Sequence, residues 1–154
     1  MYLFLLEIGM TRLLLITLLA LSGKPVYAEW VSVDGRFEER PTPYAVYVDP
    51  DTIRRNGDLV KLWVLTDFKT IQTEPTPPHL SVTSQREFQC NEERVRLLAL
   101  TAFSGHMGTG NAVYSYSDSQ DQGIEIEPDS VAHRLWKFAC GKDVAVKSAR
   151  SVNR

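Results

Sequence analysis

Three histidines, two cysteines and one glycine-rich run are the residues of this chain from which chemistry could be assembled. His79 sits in a proline-rich stretch, His106 in a glycine-rich one and His133 in an apolar-periodic one, so no pair has the short spacing that hands two ring nitrogens to one zinc ion. They read as surface histidines, with no metal site. The run Phe103-Ser104-Gly105-His106-Met107-Gly108-Thr109-Gly110 invites comparison with a phosphate cradle, yet it lacks the Lys-Ser or Lys-Thr pair and no helical pattern follows it. A wide turn between two strands, its glycines supplying positive φ, is the expectation. Ser104-Gly105-His106 is not the Gly-x-Ser-x-Gly elbow of a serine hydrolase. The pairs Asp49/Asp51 and Glu125/Glu127 fall in turns or on strand edges, and Glu92-Glu93 beside Arg94 and Arg96 is a charged turn. No catalytic residue and no cofactor follows from these residues, and a non-enzymatic protein is expected.

Cys90 and Cys140 are the only cysteines. A metal pair or a catalytic thiol would need neighbouring ligands or a base, which they lack, whereas in an oxidising compartment two cysteines form a disulfide. The compartment is read from the N-terminus. After Arg12 the apolar run Leu13 to Leu21 is too short to span a bilayer and is closed by Ser22-Gly23-Lys24-Pro25. That is the h-region of a signal peptide, and Val26-Tyr27-Ala28 predicts cleavage after Ala28, with Glu29 as the first mature residue. Met10 is the more natural start, because Glu7 interrupts the apolar stretch upstream. No cysteine lies near the cut to carry acyl chains, so the expected product is periplasmic or secreted, without a stable membrane anchor after cleavage. Closing a loop of roughly fifty residues stabilises the fold by about 4 kcal/mol on the chain-entropy model.

The chemistry-bearing residues need a scaffold, and composition sets its class. The 154 residues are 44% hydrophobic and 23% charged, with 17 Lys and Arg against 19 Asp and Glu, which describes one ordinary globular domain. A net charge of -2 offers no basic field for counterion release, so nucleic acid is not an expected partner. Alternation and β-branched or aromatic content predict strands over residues 30–33, 44–55, 58–68, 81–90, 94–104 and 112–117. Six strands in series argue for an antiparallel sheet. Asn56-Gly57 is the strongest hairpin signal, and Asp49-Pro50-Asp51 is expected to interrupt the first long strand. Thr70 to His79, with Pro75, Pro77 and Pro78, reads as an exposed loop. A helix is predicted over 131–140, capped by Ser130 and stopped by Gly141, with Val131, Leu135, Phe138 and Ala139 as its apolar stripe. Ten residues do not hold a helix alone in water, so it must dock on the sheet. Residues 29–141 form the domain, and 142–154 are expected to be a mobile polar tail.

On the fourth strand, Ser81, Thr83, Gln85, Glu87 and Gln89 share a face that is expected to be wet, while Val82, Ser84, Arg86, Phe88 and Cys90 share the other. On the third, Leu59, Lys61, Trp63 and Leu65 make a half-apolar face available to a protein partner or a second copy. Arg86 falls on the side with Val82 and Phe88. Reaching solvent at the sheet margin is the commoner arrangement for such a residue. The alternative is an inward counter-charge in a periplasmic protein that binds a small apolar or anionic ligand between sheet and helix.

An ordered set of residues also resembles the surface-adhesin protein E family: Tyr47-x-Asp49, Thr52-Ile53-Arg54-Arg55-x-Gly57, Val60-Lys61-x-Trp63-x-Leu65-x-Asp67, Glu87-Phe88-x-Cys90, Phe103-Ser104-Gly105-x-Met107-Gly108-x-Gly110, and Pro128-x-Ser130 followed by Leu135-Trp136-Lys137-x-x-Cys140. The resemblance covers nearly all of the mature chain. It implies an α+β fold, a six-stranded antiparallel sheet with a C-terminal helix packed on one face and tied to it by the Cys90–Cys140 disulfide. It also implies export by Gram-negative bacteria, a tendency to form homodimers and, for the founding adhesin, attachment to host matrix and serum proteins. Two departures stand out. The founding adhesin resembles a surface lipoprotein, and this chain has no acylated cysteine. Between Lys69 and Arg86 there is no Lys or Arg to make a basic exposed loop, so host-matrix binding is not carried over as a specific activity.

Overall fold

The computed structural model describes residues 29–33, 43–118 and 122–142 and the backbone of 146–147. The signal peptide expected over 1–28 and most of the tail expected beyond Gly141 lie outside the described residues. The described residues form eight strands: β1 (Val31–Val33), β2 (Tyr44–Asn56), β3 (Leu59–Gln72), β4 (His79–Gln89), β5 (Arg94–Phe103), β6 (Ala112–Ser117), β7 (Ile124–Glu125) and β8 (Val146–Lys147). One α-helix among the described residues, α1 (Val131–Cys140), follows β7. The sheet is antiparallel throughout in the order β6-β5-β4-β3-β2-β1-β8, with β7 also paired to β5. The six strands expected from alternation are present, and two strands of two residues each are added. β8 falls in the segment expected to be a mobile tail and pairs with Ser32 and Val33.

Local sequence explains most boundaries. Asn56 pairs with Leu59, so the two-residue hairpin loop is Gly57-Asp58, one position later than the Asn56-Gly57 dipeptide predicts. Gly57 takes φ +59 while Asp58 stays out of the left-handed region, as in a turn that needs positive φ only at its first central residue. β2 slips register between Asp49 and Arg54, where Pro50 has no ladder donor. Thr52 stitches the irregularity: its Oγ1 donates to the Asp49 carbonyl at 2.7 Å and accepts from the Trp63 amide at 3.0 Å. β3 and β4 run past their predicted ends into the proline-rich loop. His79, expected at the surface, is buried, with Nδ1 2.9 Å from the Pro77 carbonyl and its ring 5.7 Å from that of Phe68.

α1 occupies the predicted residues. Ser130 Oγ accepts from the His133 amide at 3.1 Å, and Gly141 at φ +70 lets Lys142 N–H close on the Lys137 carbonyl at 2.8 Å. Its buried residues are Leu135, Trp136 and Ala139, with Val131 and Phe138 partly buried, so the stripe includes a tryptophan that the apolar count omitted. These side chains belong to one buried cluster with Val48, Val60, Leu62, Val64 and Phe88. The disulfide joins Cys90, just after β4, to Cys140 at the end of α1, with their Cα atoms 5.6 Å apart. Among the described residues no helix is long and apolar enough to cross a membrane.

Candidate functional site

The four residues Leu59, Lys61, Trp63 and Leu65 share one face of β3 but not one environment. Leu65 has no exposed surface. Its cover is the glycine-rich segment between β5 and β6, where His106–Gly108 form a turn of 3-10 helix. A Cβ at Gly108 would sit 3.4 Å from Thr83 Cγ2 and 3.8 Å from Leu65 Cδ1, which measures how closely that backbone lies on the sheet. Two side chains hold it there. Ser81 Oγ donates to the Gly105 carbonyl at 2.6 Å and accepts from the Gly108 amide at 2.9 Å, while Asp67 Oδ1 accepts from the Met107 amide at 2.7 Å with His106 Nδ1 at 3.2 Å from Oδ2. The segment is thus more than a wide turn between strands.

The face of β4 that alternation marks as wet is also partly covered. Ser81 is fully buried under the glycine-rich segment, and Glu87 is only 4% exposed. Glu87 Oε1 accepts from Arg96 Nε at 2.6 Å, and Oε2 lies 3.2 Å from Lys61 Nζ. A buried carboxylate is stable here because two cations and a charge-assisted hydrogen bond replace its water. Lys61 is therefore tied on one side, although its side chain stays 46% exposed. Trp63 and Leu59 are half-buried, and Leu59 borders a cavity of about 220 Å³ with Glu87, Arg94 and Arg96.

Polar contacts also tie the C-terminal end of α1 to strand residues. Trp136 Nε1 donates to the Gln89 carbonyl at 3.2 Å, next to the disulfide. Arg55 Nη2 donates to the Ala139 carbonyl at 2.9 Å, a cation where the helix dipole is negative. Lys142 Nζ lies 4.6 Å from the centroid of the Trp136 ring, and His133 stacks on the same residue at 5.7 Å.

Near the N-terminal end of α1 a cavity of about 400 Å³ opens between helix and sheet, bordered by Tyr44, Val46, Phe68, Arg86, Val131 and Leu135. Arg86 is directed inward, against the expectation that it reaches solvent at the sheet margin. Burial among protein atoms pushes its pKa below the ordinary guanidinium value, opposed by the nearby Tyr44 phenol. Arg86 Nε donates to Ser84 Oγ at 3.2 Å, and Arg86 takes part in no ion pair among the described residues.

β6 closes one end of the sheet and has no strand on its outer side among the described residues. Its sequence Ala-Val-Tyr-Ser-Tyr-Ser is uncharged, and Tyr114 and Tyr116 are among the exposed large apolar side chains. The alternating tyrosines were readable in the sequence. That they stand on an edge depends on strand order, which alternation does not carry. Among the described residues no cluster of three or more His, Cys, Asp or Glu could hold a metal ion.

Comparison of the sequence with those of curated proteins gives no match. The fold is similar to solved structures of Haemophilus influenzae protein E. Its crystal form II superposes with a TM-score of 0.54 at 12% identity, over 75% of this chain and 90% of that one. A second structure of the same protein gives a TM-score of 0.52 at 12% identity, over 75% and 86%. At that identity the likeness is one of fold. The family model for surface-adhesin protein E matches residues 30–141, which takes in β1 through α1 and both cysteines. The chain belongs to the surface-adhesin protein E family.

Proposed function

We propose that this chain is an exported, non-enzymatic, adhesin-like binding protein that acts by strand addition at the outer edge of β6. Family membership supports an exported or surface location and a protein-binding role. The observation that carries the mode of binding is the β6 edge, which has no strand on its outer side among the described residues and exposes Tyr114 and Tyr116. Edge strands of soluble proteins are ordinarily guarded by Lys, Pro or a bulge, and β6 has no charged residue or proline in its six positions. An added strand would gain main-chain hydrogen bonds, with tyrosines as contact residues of the kind enriched at interfaces. The partner this edge fits best is a second copy, because an uncharged strand laid antiparallel on itself meets no like charge.

In this reading α1 covers the apolar face of the sheet and the disulfide holds it there, which leaves the edge and the opposite face for contacts. Of the half-apolar patch on β3, Leu59, Lys61 and Trp63 are proposed as secondary contacts, and Leu65 supports the glycine-rich segment. The chain is delivered to the periplasm, or beyond it, after cleavage following Ala28. The test is light scattering of the protein recovered from the cell envelope, beside a Ser115→Lys variant. The expected result is a dimer for the wild type and a monomer for the variant. A wild-type monomer at all concentrations removes the proposed edge pairing, and an intact mass retaining residues 1–28 removes the cleavage.

A further inference from the structure

The cavity at the N-terminal end of α1 combines three features. It has an apolar wall in Val46, Phe68 and Leu135. Among the described residues it has one cation, Arg86, whose Nε donates to Ser84 Oγ and whose terminal nitrogens hydrogen-bond to no described residue. It also borders the first turn of a ten-residue helix, where Ser130 Oγ is spent on the His133 amide and the amides of Val131 and Ala132 lie outside that capping bond. Arg86 is half-buried, and no carboxylate among the described residues pairs with its guanidinium, which leaves its charge available to an anion in the cavity. Glu87, one residue along the strand, is on the opposite face and is committed to Lys61 and Arg96.

We propose that this cavity is a binding site for a small monocarboxylate with an apolar body. The carboxylate is held end-on by the terminal nitrogens of Arg86, beside the first turn of α1, and the apolar part lies against Val46, Phe68 and Leu135. Charge sets the class. Among the described residues Arg86 is the only Lys or Arg that borders the cavity, so a single negative charge is matched and a dianion is not. Geometry narrows it further, since a guanidinium with Nε engaged still offers its two terminal nitrogens as a planar fork to two carboxylate oxygens. The helix N-terminus favours the same sign of charge. A volume of about 400 Å³ falls within the roughly 300–1,000 Å³ of small-ligand pockets. The site is separate from the β6 edge and does not depend on association there.

The test is isothermal titration of the protein purified from cells that export it, with octanoate, 1-octanol and inorganic phosphate as probes. Octanoate is expected to bind at one site per chain, and octanol and phosphate at least about tenfold more weakly, the loss that follows from removing one charge-assisted pairing. Arg86→Gln is expected to abolish the preference for octanoate over octanol. Ala132→Glu, which places a carboxylate in the first helical turn beside the cavity, is expected to supply the anion internally and block octanoate while leaving the helix intact. This second variant decides the matter should Arg86→Gln fail to fold. The proposal is overturned if octanoate does not bind, if octanol or phosphate binds as tightly, or if a folded variant of either kind binds octanoate with wild-type affinity.

Discussion

The two faces of the sheet are covered by different physics. On one, Val60, Leu62, Val64 and Phe88 join Leu135, Trp136 and Ala139 in a single apolar cluster, and a covalent bond fixes the end of the helix. On the other, Leu65 and Ser81 are buried just as completely, but beneath a glycine-rich backbone held by hydrogen bonds from Ser81 and Asp67, beside a carboxylate neutralised by Lys61 and Arg96. Burial on the first face comes from the hydrophobic effect and resists local change. Burial on the second depends on a few directional contacts that can be undone one at a time. A polar residue in an alternating strand therefore faces away from the apolar core without necessarily facing water.

The largest test of this contrast is Phe88→Ala, which empties the middle of the apolar cluster and should cost about 3–5 kcal/mol in global stability by chemical denaturation. Removing the disulfide with a Cys90→Ala, Cys140→Ala double variant should cost about 2–4 kcal/mol and lower the melting temperature accordingly. Unchanged melting would leave the covalent link without a structural role. On the polar face, Glu87→Gln should cost roughly 1–2 kcal/mol, below the usual figure for a broken buried pair because Lys61 and Arg96 can both turn to solvent. Ser81→Ala should be smallest, about 1 kcal/mol globally, yet it should accelerate amide exchange at Gly108 while exchange at Leu62 and Phe88 stays unchanged. If Ser81→Ala destabilises the protein as much as Phe88→Ala, the distinction between the two faces fails.

Features written in contiguous residues were legible in the sequence. The six main strands, the helix with its Ser130 cap and Gly141 stop, and the irregularity after Asp49, a register slip within a continuous β2 rather than the expected interruption, all follow from spacing of two or 3.6 and from turn chemistry. The disulfide was legible because two cysteines in an exported chain admit one pairing. Features made by distant residues were not. Glu87 is buried because Arg96 pairs with it across the β4–β5 hairpin, and Leu65 because a segment about forty residues later folds back on it, and alternation assigns both only to a face. Arg86 was placed on the correct face, but its cavity depends on where the helix N-terminus sits. Tyr114 and Tyr116 read as ordinary strand residues until strand order puts them on an edge.

The proposed role depends most on that edge. A photo-crosslinking residue placed at position 116 in exported protein, compared with one at position 71, tests it directly, since Ile71 is 61% exposed and offers a rival apolar contact away from β6. Edge pairing predicts an adduct of twice the chain mass from position 116 and none from position 71. An adduct from position 71 alone, or from neither position, would contradict it.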